Sequence, residues 1–121
     1  MLKWFSRKNN LERDIADLCN RAVAAWISTF PVDERLQDFL TGVPVELRDN
    51  VKTSAIGIFR AASAYLQEAA DKGTVNLDEF YPALEKHLRS GFPWMGEPAF
   101  AALRSYTGWF AWHEGYSANG T

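Results

Sequence analysis

The residues of this chain that could do chemistry are few: two histidines, His87 and His113, one cysteine, Cys19, and some neighbouring carboxylates. A nucleophile needs a base within hydrogen-bond reach, and a helical metal site needs ligands repeated on one face, as two histidines four apart would supply. His113 and Glu114 are adjacent, which sets them roughly 100° apart on a helix. His113 also falls on an apolar arc, so a core or boundary histidine is expected there. His87 lies in Glu85-Lys86-His87-Leu88-Arg89, near a helix C-terminus, where positive charge suits the dipole. Cys19 sits among apolar residues with no basic neighbour in sequence, which points to a buried, inert thiol. Asp14 with Asp17, and Asp78 with Glu79, fall where solvated helix faces and helix N-termini place acids. No GxSxG, Walker loop, GxGxxG or CxxC occurs, so no catalytic, cofactor or metal residue is assigned.

Gly73 to Phe80 resembles the second half of an EF-hand loop, with Gly73 at the sharp turn, Val75 two residues on, and Glu79 then Phe80 at the close. Calcium also requires oxygen ligands at the first, third and fifth loop positions. Those are Glu68, Ala70 and Lys72 here. Alanine offers no ligand atom and lysine brings the wrong charge, so no calcium is expected. The segment reads instead as a helix-turn-helix corner: Asn76 as N-cap, Glu79 completing a capping box, and Val75 with Phe80 as a hydrophobic staple.

The elements that must carry these residues are helical. A chain of 121 residues fits one domain over 1–121, and its apolar share of 47% against 23% charged excludes a disordered chain. The stretch Asn50 to Lys72 places Val51, Ala55, Ile58, Phe59, Ala62, Tyr65, Leu66 and Ala69 on one arc. Lys52, Thr53, Arg60, Ser63 and Gln67 lie opposite. This long amphipathic helix, about 50–72, is the expected centre of an all-α compact bundle of about five helices. It starts at Pro44 or after a break near Asp49-Asn50, with continuity and a kink preferred. On its flank Ser54, Gly57, Ala61 and Ala64 form a small-residue strip. A helical glycine costs about 1 kcal/mol against alanine, so close approach of another backbone is expected at Gly57. Ile56 stands out within the polar stripe.

Before it, Asn9 with Glu12 reads as a capping box opening a helix from Asn10 to Phe30. That helix carries Leu11, Ile15, Leu18, Cys19, Ala22, Val23, Trp26 and Phe30 on its core side and is stopped by Pro31. A short helix, Val32 to Thr41, buries Leu36, Phe39 and Leu40 and ends on a left-handed Gly42. After the corner, Leu77 to Arg89 buries Leu77, Phe80, Leu84 and Leu88, with Pro82 bending it or splitting off its first turn. Phe92, Trp94 and Met95 in the loop 90–97 read as a plug over the core. The last helix, from Pro98 to about Glu114, turns Ala99, Phe100, Leu103, Tyr106, Phe110 and His113 inward. Trp112 faces away, with Ala101, Arg104, Ser105 and Gly108, while Trp109 lies at the boundary. Residues 117–121 form a loose tail.

Charge and aromatics bound the function. The first eight residues hold Lys3, Arg7 and Lys8 and no acid, leaving ten bases against fifteen acids in the other 113, a net −5. Such a body is a poor nucleic-acid binder. The basic, aromatic extension 1–8 could touch a membrane surface through Trp4 and Phe5, although folding back on the body is the expected state. No run is long and apolar enough for a membrane span and no signal-peptide pattern is visible, so a cytoplasmic location is expected.

Five tryptophans in a chain of this size leave a surplus near its end. The leading reading is a non-enzymatic protein-binding domain, of inhibitor, immunity-type or adaptor kind, with another protein or a second copy as partner. Its candidate partner-binding residues are Trp94, Trp109, Trp112, Tyr116, Arg104 and Ser105, since exposed aromatic anchors beside small residues are what interface hot spots use. The alternative is a small-molecule or lipid-binding bundle with a pocket between the loop Phe92 to Met95 and the last helix. An enzyme using Cys19, His113 or Glu114 stands third.

Overall fold

The computed structural model describes residues 2–27 and 30–117, with side chains described at 10–27 and 30–117. It is all-α: α1 (Leu2–Trp26), α2 (Asp33–Thr41), α3 (Val45–Asp71), α4 (Leu77–Gly91) and α5 (Glu97–His113). Among the described residues there is no strand, and two isolated backbone bridges join Ile27 to Pro31 and Val75 to Ser117. None of the described helices is long and apolar enough to cross a membrane.

α3 runs unbroken from Val45 to Asp71 and buries Val51, Ala55, Ile58, Ala62 and Leu66, five positions of the arc read from the sequence. It packs against all four other helices, which is why its apolar side needs to be wide. Asn20 of α1 meets the start of α5, and Phe30, just beyond α1, meets its end. Phe59 of α3 likewise meets Tyr106, so α1, α3 and α5 point the same way. α4 returns in the opposite direction, bringing Phe80 to Tyr65 and Phe92 to Gly57.

Several boundaries differ from the sequence expectation. α1 passes through Asn9 as helix, so Asn9 is not an N-cap and residues 2–8 continue the same helix. The Trp4 and Phe5 side chains lie outside the described residues. At its other end α1 stops at Trp26, not Phe30. Pro31 has no N–H for the Ile27 carbonyl, and its ring excludes that carbonyl and disfavours helical geometry at Phe30. The helix therefore ends about a turn before the proline, and Val32 N–H donates to the Trp26 carbonyl at 3.0 Å to close it. Phe30 is consequently 50% exposed instead of core, and so is Leu11.

Gly42 caps α2 with φ −87° and ψ −3°, an ordinary right-handed conformation and not the left-handed one expected. The end of α2 is closed by the Gly42 and Val43 N–H groups, which donate to the Phe39 and Leu40 carbonyls at 3.1 Å, and by Arg48, which donates from Nη2 to the Thr41 carbonyl at 3.0 Å and from Nε to the Val43 carbonyl at 2.8 Å. At the corner, Gly73 does take positive φ, +139°. Asn76 Oδ1 accepts from Asp78 N–H at 3.0 Å, the N-cap bond, and Val75 and Phe80 are both buried. α4 continues through Pro82 as one helix. Ser117, expected in the loose tail, pairs with Val75, and Tyr116 accepts from Val75 N–H at 2.8 Å. Ala118 to Thr121 lie outside the described residues.

Candidate functional site: the exposed end of α5

α5 buries Ala99, Phe100, Ala102, Leu103, Thr107, Gly108 and Ala111. The buried side is thus turned by roughly 60° from the expected arc, because it is set by small residues and not by large ones. Close packing of a helix admits alanine, glycine and a threonine whose hydroxyl donates to its own Leu103 carbonyl at 2.8 Å, and it expels wide rings to the flanks. Gly108, expected at the exposed site, lies buried against Tyr81 of α4. His113, expected inward, is exposed.

On one flank Tyr106 and Phe110 are half-buried; Tyr106 meets Phe59 at 5.0 Å and Phe110 meets Tyr116 at 6.0 Å between ring centroids. The Tyr116 hydroxyl donates to Gln67 Oε1 at 3.4 Å. Burial pushes the Tyr106 phenol above its ordinary pKa, with the Ser63 hydroxyl acting against the shift. On the outward flank Trp109 is half-buried, 6.0 Å from Phe30 and stacked on His113 at 4.9 Å with the planes 23° apart. His113 Nδ1 lies 3.7 Å from Glu114 Oε1. Trp112 is 49% exposed, on the same outward side as Ser105, which lies about two turns N-terminal to it.

The six candidate residues are only partly brought together. Trp109, Trp112 and Ser105 share the outward side of α5. Tyr116 is half-buried on the other flank, against Phe110. Arg104 is exposed, but its guanidinium already lies 4.9 Å over the Tyr81 ring; burial pushes that phenol above its ordinary pKa, with the Arg104 charge acting the other way. Trp94 precedes α5 and packs on Phe92 at 6.2 Å, roughly 20 Å or more along the axis from Trp112. Phe30 takes its place in the cluster. The sequence signal for Phe30 was Pro31 after it, which ends α1 early and turns the ring out.

The loop 92–96 is a plug. Met95 is buried and Phe92 lies against Gly57 of α3. Asn20, which the sequence reading passed over, holds this loop down. It donates to the Ala16 and Trp94 carbonyls, both at 2.9 Å, and its Oδ1 accepts from Gly96 N–H at 2.7 Å. Cys19, beside it, is fully buried; burial pushes its thiol up, with the Ser54 hydroxyl acting the other way. Cys19 is thus near the start of α5 while His113 and Glu114 are at its end, roughly 24 Å further along the axis, too far to act on one bond. Among the described residues no group of three or more His, Cys, Asp or Glu is placed to hold a metal ion. No protein-family model, curated protein or solved structure matches this chain.

Proposed function

We propose that the chain is a non-enzymatic protein-binding domain, of inhibitor, immunity-type or adaptor kind, that grips its partner with the outward side of α5. The observation that carries this reading is the run of rings from Phe30 through Trp109 to Trp112, with Phe30 50% and Trp112 49% exposed. Large rings left half in water at the surface of a helix, with the exposed Ser105 and Ala101 beside them, are suited to be anchors in an interface. A second copy of the chain bound through the same side is a variant of this reading.

The test is Trp112→Ala. Its ring supports little of the core, so thermal stability should change by no more than about 0.5 kcal/mol, while a partner captured from native lysate by the parent protein should be lost. Sedimentation of both proteins alone identifies the case in which the partner is a second copy. A large fall in stability, or unchanged capture and sedimentation, would overturn the reading.

A further inference from the structure

Between α3 and α5 lies a small cavity of about 110 Å³, lined by Ser63, Leu66 and Gln67 of α3 and by Tyr106 and Phe110 of α5. Three- and four-residue spacing turns one face of each helix to this gap. Tyr106 and Phe110 are the wide rings displaced to this flank when the small residues of α5 took the core. Leu66, 2% exposed, forms the floor. Gln67 is the one exposed residue of the five and forms the mouth. Its amide donates to Asp71 Oδ1 at 3.0 Å and accepts from the Tyr116 hydroxyl at 3.4 Å.

Ser63 carries the argument further. Among the described residues its Oγ is the one side-chain oxygen or nitrogen that is closed off from solvent without a hydrogen-bond partner. A serine inside a helix can donate to the carbonyl four residues back; this one does not. The Tyr106 hydroxyl is near enough for Ser63 to favour the ionised phenol, yet the two are not aligned as a hydrogen bond. An unpaired buried hydroxyl is costly, and the cavities that stay empty in proteins are apolar ones, so this one calls for a polar occupant. A water needs about two to four polar partners. The two hydroxyls and Gln67 suffice for one such group, while Leu66 and Phe110 give the rest of the space nothing to bond.

We propose that this cavity binds a short-chain aliphatic alcohol. The ligand hydroxyl bridges Ser63 and Tyr106, donating to one and accepting from the other, and its alkyl chain lies on Leu66 and Phe110. Apolar cavities of roughly 150 Å³ hold benzene, so this smaller one suits a body of about four or five non-hydrogen atoms. No charged residue lines it, and an ion would give up its hydration there without a partner. The bond from Tyr116 to Gln67 at the mouth is long, so opening it for entry costs little. The cavity is on the other flank of α5 from Trp109 and Trp112, so this proposal and the protein-binding reading stand or fall separately.

The probe is 1-propanol, titrated into the full chain while the methyl signals of Leu66 are followed by NMR, with those of Leu40 in α2 as a remote reference and propanoate and propylammonium as charged counterparts. Saturable shifts at Leu66 and not at Leu40 are expected for the alcohol and for neither ion. Ser63→Ala removes only the hydroxyl and should weaken the alcohol by about two- to tenfold, the worth of one neutral hydrogen bond. Ser63→Leu should fill the gap and abolish the shifts, with a cooperative thermal transition showing that the variant is folded. Absence of saturable shifts, which would leave water alone in the cavity, equal shifts with either ion, or an unchanged affinity in Ser63→Ala would overturn the proposal.

Discussion

Two glycines on facing helices make opposite demands, and each follows from what a Cβ would meet. At Gly57 an added Cβ would lie 3.5 Å from Cε1 of Phe92, an ordinary contact, and the close approach is by a ring instead of the backbone expected from the sequence. Gly57→Ala should therefore keep the geometry and gain helix propensity, raising stability by about 1 kcal/mol in urea unfolding. At Gly108 the same methyl would overlap the Tyr81 hydroxyl. Gly108→Ala should cost about 1–3 kcal/mol as an overpacked contact, and Tyr81→Phe in that background should recover most of it. If Gly108→Ala were neutral, the close α4–α5 contact would be wrong. The sequence could mark both glycines as helix-weakening but could not rank them, because the difference lies wholly in a neighbour from another helix.

At the scale of elements, the placement of α5 depends on one amide in α1. Asn20 is 7% exposed, and it satisfies groups of a loop more than seventy residues away, together with a longer contact from Ala99 N–H at 3.4 Å. Arg89 supports the same loop from α4, donating to the Met95 carbonyl at 3.1 Å while it is bound to Glu85 at 2.8 Å. Asn20→Ala strands the part-buried Trp94 carbonyl and Gly96 N–H, which should lower stability by about 1–3 kcal/mol. Hydrogen exchange should accelerate first at Gly96 and Ala99. An Asn20→Ala protein as stable as the parent would mean that water replaces the amide and that the loop is held by its rings alone. α1 itself was foreshortened by Pro31, an effect that composition shows but whose reach of about one turn is decided by where the next helix must start.

For the whole molecule, three groups share one pH signature. Burial raises the Cys19 thiol above its ordinary 9.0 and the Tyr81 and Tyr106 phenols above their ordinary 10.0. In the unfolded chain these protons leave at the ordinary values, while the folded chain retains them to higher pH. The unfolded state then binds fewer protons, so stability falls as pH rises above about 9 and keeps falling until the folded groups ionise too. Urea midpoints measured from pH 8 to pH 11 should decline, and Tyr106→Phe should make the decline shallower. A midpoint that is flat across this range would show that the phenols are hydrated in the fold. The bundle thus has an alkaline limit written by groups that do no visible chemistry.

Period and punctuation alone determined the helices: the arc of α3 from Val51 to Leu66, the N-cap at Asn76 and the turn at Gly73 are local facts, fixed by helical spacing and backbone conformation. They also showed that Cys19 would be buried and that rings would be in surplus toward the end of the chain. Tertiary structure decided which way α5 turns, because a helix that carries apolar residues on every side has no single preferred face until its neighbours select the small ones. That selection buried Gly108 and exposed His113, and the packing of the helices brought Phe30 to Trp109 from a different part of the chain. Neighbouring residues in sequence cannot encode such a choice, since it is made by the fit of side-chain volumes between helices that meet only when the chain folds.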